Sequence, residues 1–206
     1  MITTQAAFPW GPFLVRVVVP TILTIILFVA SFFFVIIPSV RDSSMERKRE
    51  MIQELTLSAW NILAKLHNDE VKGLITRDQA KTQAVEQIRN LHYGQEMKDY
   101  FWINDMTPRM IIHPYRTDLN GSDLSDYTDP DGKKVFMEIV NTVKTHGSGF
   151  VQYKWQANDR PSVIVPKISY VKGFEPWGWV LGTGIYIDDV NAEIDRHIEK
   201  IAGLSI

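Results

Sequence analysis

An α+β domain tethered to a membrane by one apolar helix is the fold that the sequence predicts, and three features predict it. Residues 17–37 contain no charged side chain. Amphipathic helical stripes follow. Beyond residue 99, short aromatic and β-branched runs alternate with turns rich in Pro and Gly, the pattern of an antiparallel sheet. The resulting order is helix, helix, hairpin, helix, three strands, helix.

The 206-residue chain has a net charge of -2 and 22% charged residues. That suits one ordinary domain with an appendage and leaves no electrostatic footprint for nucleic acid. Absence of Cys excludes disulfides, thiolate metal sites and a cysteine nucleophile. Residues 17–37 are long enough to cross a hydrocarbon core of about 30 Å as a helix. Pro20 falls in the first turn, where its missing N–H matters least. Pro38 marks the exit, and Trp10 and Phe13 are placed at the near interface. Val29-Ala30-Ser31 has the composition of a signal-peptide cleavage site, but 32–37 continue the apolar run past it, so the segment reads as a retained anchor. Only Arg16 precedes the span, whereas Arg41, Arg47, Lys48 and Arg49 follow. Taken alone, that count places the bulk of the chain in the cytoplasm.

From Ser43 the chain reads as one long helix. Met45, Ile52, Leu55, Ala59, Ile62 and Leu66 form a single apolar stripe. Residues 55–66 are expected in the core and 45–52 in a stalk, and the stripe suits self-pairing in a parallel homodimer. Thr76 and Gln79 form a capping box for a second helix, which carries Ala80, Ala84, Ile88 and Leu91 and ends near Gly94. Asp131 and Gly132 open a third helix, with Val135, Phe136, Ile139, Val140 and Val143 on its apolar side and Gly147 after it. A last helix places Ile187, Val190, Ile194, Ile198 and Ile201 on one face. Residues 201–206 then read as the start of a second span.

Residues 100–104 and 110–113 form a hairpin through a Pro-containing turn. Segments 149–155, 163–171 and 179–186 bring the sheet to about five strands. His113 stands at a strand end, and alternation puts Arg109, Ile111 and His113 on one face. There a cation and an imidazole, neutral or protonated, could converge on an anion; a hydrogen-bonded structural histidine is the plainer reading. Lys167 lies within an apolar strand, so it either turns to solvent or is kept inside to neutralise an anionic ligand. Tyr100, Trp102, Tyr153, Trp155 and Tyr170 can wall a small pocket, although cross-strand aromatic pairs also stabilise sheets without binding anything. The run 127–132 with Glu138 fails as a calcium loop, since Tyr127 takes the first ligand position and Pro130 sits inside it. No nucleophile motif, phosphate-binding loop or metal-ligand spacing is present, so catalysis finds little support, an anchored hydrolase is a weak third reading, and no cofactor or metal is expected.

In order, the chain carries Tyr100-Phe101-Trp102-Ile103-Asn104-Asp105, His113-Pro114-Tyr115, Leu119-Asn120-Gly121, Asp129-Pro130-Asp131-Gly132, Gly149-Phe150-Val151 and Lys167-Ile168-Ser169-Tyr170-Val171. Pro176-Trp177-Gly178-Trp179 and Gly182-Thr183-Gly184-Ile185-Tyr186 complete the series. This order resembles the single Cache sensor domain of bacterial chemoreceptors and sensor histidine kinases, over roughly residues 40–200. The resemblance implies a long N-terminal helix on a PAS-like antiparallel sheet, and an extracytoplasmic sensor that binds small organic acids and signals through its helices. It implies a ligand role for His113, for Tyr100 and Trp102, and for Lys167.

The expected organisation is then a cytoplasmic segment 1–16, a transmembrane helix 17–37, a sensor domain 38–200 and the start of a second span at 201–206. It places the protein in the bacterial inner membrane. With Lys167, His113 and Arg109 as cations and no carboxylate on the same strand segments, a small monocarboxylate is the expected ligand. A membrane-anchored interaction or assembly protein without a small ligand is the alternative.

Overall fold

The computed structural model describes residues 11, 14–157 and 160–201. Trp10, Phe13, most of 1–16 and the apolar end at 202–206 lie outside them. Helix α1 runs from Val15–Val71 without interruption, about 85 Å at the helical rise. Its apolar window, by length and composition, is sufficient to cross a membrane, and none of it is buried. The helix continues through Pro38, the residue placed at the exit from the span. Both prolines follow a widened π-turn, Leu14–Val18 before Pro20 and Phe32–Ile36 before Pro38, and such turns absorb the lost hydrogen bond.

The buried stripe of α1 is Ile52, Thr56, Ala59, Leu63 and Leu66, which keeps Ile52, Ala59 and Leu66 of the expected stripe and replaces Leu55 and Ile62 with their neighbours Thr56 and Leu63. Leu55 and Ile62 sit at its flank, half-buried. The expected stalk at 45–52 is core at its upper end, because Ile52 and Met45 pack against helix α4 (Ile187–Ile201) and the sheet. Helix α2 (Arg77–Arg89) starts with the Thr76–Gln79 capping box. It stops at Arg89, ahead of Leu91 and Gly94, because the chain turns there into the two-residue strand β1 (His92–Tyr93). Helix α3 (Val135–His146) buries the five expected apolar residues and closes at Gly147, whose φ is 76°. Its opening differs from expectation. Lys134 precedes the helix, and Asp131 turns away to pair with Lys154. Asp129 organises this loop instead, accepting the backbone N–H groups of Asp131, Lys133 and Lys154.

One antiparallel sheet of six strands runs β1–β2–β6–β5–β4, with β3 on β2. The remaining strands are β2 (Asp99–Asp105), β3 (Met110–Ile112), β4 (Ser148–Ala157), β5 (Arg160–Phe174) and β6 (Trp179–Tyr186). Alternation gives the sheet two apolar faces. Phe101, Ile103, Phe174, Trp179 and Leu181 pack under α1 and α2. Tyr100, Trp102, Val151, Tyr153, Trp155, Val171 and Val180 face α3 and the loop that precedes it. That second face carries the candidate site.

Candidate functional site

Register decides which side chains meet. Tyr153 on β4 stands opposite Lys167 on β5, and Lys167 stands opposite Tyr186 on β6. One step along, Val151 faces Ser169 and Ser169 faces Gly184. A further step pairs Val171 with Gly182, and Gly182 with Trp102 of β2. A side chain at Gly182 would overlap the Trp102 indole, and one at Gly184 would overlap Ser169 Oγ. The two glycines thus let the indole and the lysine stem lie flat on the sheet.

Lys167 is 1% exposed, so the lysine is kept inside. Its Nζ donates to the Tyr100 hydroxyl at 2.9 Å. The ammonium also lies 4.2 Å from the Tyr100 ring centroid, 4.9 Å from that of Tyr186 and 5.6 Å from that of Trp102. Burial pulls the ammonium down from 10.5 to about 7, and the Asp99 charge opposes the fall. Asp99, at the start of β2, therefore corrects the expectation that no carboxylate on these strands reaches the lysine. Among the described residues, no carboxylate comes within ion-pair distance of Lys167.

His113 follows β3 and is buried, its ring 4.7 Å from Tyr100 and 5.6 Å from Trp155. Its Nδ1 accepts the backbone N–H groups of Arg116 at 2.9 Å and Tyr115 at 3.2 Å. That fixes the neutral tautomer with the proton on Nε2. Burial, then the charges of Lys167 and Arg116, hold the imidazole well below the usual histidine range. His113 is thus a neutral N–H donor, one of the two forms allowed by the sequence reading, and adds no positive charge.

Tyr153 hydrogen-bonds Ser169 Oγ at 3.0 Å. The Trp102 Nε1–H donates to Asn104 at 3.1 Å. Trp155 differs: it is 3% exposed, yet its Nε1–H has no acceptor among the described residues. Burial pushes the Tyr100 phenol well above its ordinary value, and Trp155 beside it acts in the opposite direction. An ammonium, an imidazole N–H and an orphaned indole N–H therefore gather about the Tyr100 ring. Such an arrangement can bind an anion with several charge-assisted hydrogen bonds.

Two expected members do not join them. Tyr170 sits one residue out of phase with Lys167, so it points to the α1 face. There it packs with Ile52 and Ile185 and donates to Ser148 Oγ at 2.9 Å. Arg109 lies at the solvent-facing edge, donating to the Gly121 carbonyl at 2.5 Å; the register shift between Ile103 and Asn104 breaks the alternation that would have aligned it with His113. Tyr186 was missed by the sequence reading. The period of two from Gly182 through Gly184 reaches it directly, and its hydroxyl donates to the Gln156 carbonyl at 2.8 Å.

A family model described as single Cache domain 2 matches residues 44–200. The methyl-accepting chemotaxis protein McpP of Pseudomonas putida is 39% identical over 163 residues, covering 78% of this chain and 29% of its own length. The sensor histidine kinase MctS of Rhizobium johnstonii is 35% identical over 159 residues, covering 76% of this chain and 32% of its own. This chain thus spans about a third of the length of those curated relatives. A solved Cache chemosensory domain, described in terms of carboxylic acid recognition, shares 42% identity and a TM-score of 0.66. The match covers 70% of this chain and 97% of that one.

Proposed function

From the premise that this chain belongs to the single Cache domain 2 family, we propose that it is the extracytoplasmic ligand-binding part of a membrane signalling receptor and binds a short-chain monocarboxylate. The observation that carries the ligand class is the Lys167 ammonium, buried without an ion-pair partner among the described residues. A carboxylate accepting from Lys167, His113 Nε2 and Trp155 Nε1 would offset that desolvation. Tyr100, Trp102 and Tyr186 stand around the ammonium with Tyr153 beside it on β4, a close aromatic surround that favours an acid of only a few carbons. Acetate, propionate, lactate and pyruvate are the candidates. The solved Cache neighbour described for carboxylic acid recognition supports the same class.

The proposed topology keeps 1–16 inside, 17–37 across the bilayer and 38–200 outside, against the Lys/Arg count. Tyr186 shares a row with Lys167 and directly precedes α4. Helix α4 is ion-paired to α1 through Arg41–Asp195 and Lys48–Glu193. A rearrangement around the ligand would thereby reach both helices that lead to the membrane. A homodimer through α1 would use the Leu55 and Ile62 flank, since the deeper stripe is filled by the chain's own sheet and α4.

The test is a thermal-shift panel of small carboxylates, amines and amino acids on the full chain in nanodiscs. A ligand at one hundred times its Kd adds about 2.7 kcal/mol of stability, several degrees of midpoint. A carboxylate is expected to give that shift. No shift across the panel would favour a membrane-anchored interaction protein, and turnover of a panel member would mark an enzyme. A phosphatase reporter fused after Ile206, active only when exported, checks the topology.

A further inference from the structure

A second opening lies away from Lys167, where the end of α3 and the β5–β6 connection meet α1. It is a cleft of about 770 Å³, within the roughly 300–1,000 Å³ typical of small-molecule sites. Its walls are Trp60 of α1, Phe174 and Trp179 of the sheet, and Val143 of α3. These walls are set before any ligand arrives. The Trp60 Nε1–H is held by the Gly173 carbonyl at 2.9 Å, and Phe174 meets the indole edge-on at 5.3 Å. A side chain at Gly173 would come within 2.6 Å of Val143 Cγ1, so only glycine lets β5 and α3 close the floor.

The charges at the rim select the occupant. Lys172 Nζ stands 5.4 Å from the Trp60 ring centroid, and Lys144 of α3 also lines the cleft. Neither ammonium forms an ion pair with a described carboxylate. Glu175 also lines the cleft. His67 lines it too, but its Nδ1 is engaged by Glu70, which also accepts from Trp177. Two lysines against one glutamate leave the rim positive. Aromatic faces attract cations as well, but here Lys172 already stands over one of them.

We propose that this cleft is a second ligand site, taking an aromatic monocarboxylate independently of the Lys167 pocket. The ring packs among Trp60, Phe174 and Trp179, and the carboxylate reaches Lys172 and Lys144 at the rim. The Lys167 enclosure, walled by four aromatic rings, is the site for the smaller acids.

Phenylacetate is the probe, titrated by calorimetry into the full chain in nanodiscs, with benzylamine as the cationic counterpart. Wild type and Lys167→Met should bind phenylacetate with the same Kd, at or below about 1 mM. Lys172→Gln, a rim change that leaves the floor and walls untouched, should weaken it about tenfold without altering acetate binding. No phenylacetate binding, loss of it in Lys167→Met, an unchanged Kd in Lys172→Gln, or tighter binding of benzylamine would each overturn the proposal. Retained acetate binding alongside any of those results would leave the carboxylate reading of the Lys167 pocket standing.

Discussion

Lys167→Met removes the one ammonium that the fold buries in an aromatic enclosure, and its consequences can be worked out from the titration. The side chain goes from 10.5 to about 7 because burial disfavours the charged form. Between those two values the unfolded chain binds more protons than the folded one, so stability rises with pH across that window. The penalty is absent above 10.5 and complete below about 7. At pH 7 it amounts to about 4 kcal/mol, and at pH 9 to about 2 kcal/mol. Wild type should therefore gain about 2 kcal/mol relative to Lys167→Met on going from pH 7 to pH 9. His113 does not confuse this window, because its depressed titration acts below the usual histidine range. Urea unfolding of the full chain in micelles, followed by tryptophan fluorescence, gives both curves.

Affinity should run the other way. A carboxylate needs the charged lysine, so above pH 7 its Kd in wild type should rise about tenfold per pH unit. Below pH 7 it should level off. In Lys167→Met the affinity should be weaker by about ten- to hundredfold and should show no such slope. Parallel stability curves for the two proteins between pH 7 and pH 9, with a flat wild-type Kd, would refute the reasoning at its root.

Three more perturbations probe the same enclosure and one probes assembly. Trp155→Phe deletes a buried N–H that has no acceptor; the empty protein should lose less than about 1 kcal/mol or gain slightly, while carboxylate affinity falls about tenfold, by thermal shift and calorimetry. His113→Ala leaves the Tyr115 and Arg116 N–H groups without their acceptor, so it should cost about 2 kcal/mol of stability as well as ligand affinity. Gly184→Ala drives a methyl into Ser169 Oγ and to 2.6 Å from the Ile168 carbonyl oxygen; a loss of about 2 kcal/mol or more is expected in the same unfolding assay. Cysteines at Leu55 and Ile62 should cross-link between copies in membranes whereas one at Ile52 should not, and failure at both flank positions would remove the α1 dimer.

Most of the fold was legible because its signals are local. The apolar span, the Thr76–Gln79 box, the α3 stripe and the strand runs each depend on residues close in sequence. Errors arose where the outcome depended on a partner. The α1 stripe holds at Ile52, Ala59 and Leu66, but Leu63 is buried in place of Ile62 because it packs with the sheet and α2. By sequence Asp131 reads as the helix opener, yet three backbone donors converge on Asp129 from two segments. At the site, period-two reasoning was sound for Lys167 and Ser169. Applied strictly, it would have excluded Tyr170 and included Tyr186. The failure at Arg109 has a different cause: a register shift between Ile103 and Asn104 that no residue in the hairpin announces.

Three features of the enclosure would each be a defect in an ordinary core. An ammonium is depressed to about 7, an indole N–H lacks an acceptor, and a histidine is held neutral with its second nitrogen turned away from the backbone donors. A buried donor without a partner costs about 1–3 kcal/mol, and a desolvated ammonium adds its own penalty, which is sizeable against a stability of about 5–15 kcal/mol. One small anion, the proposed carboxylate, would answer all three, since it has two oxygens and room for several donors. A neutral isostere such as an amide would satisfy the indole and the imidazole but leave the lysine uncompensated. A cationic amine would add to its charge. On the proposed reading, the groups that weaken the empty domain are the ones that would discriminate among ligands, so stability and specificity would be set by the same side chains.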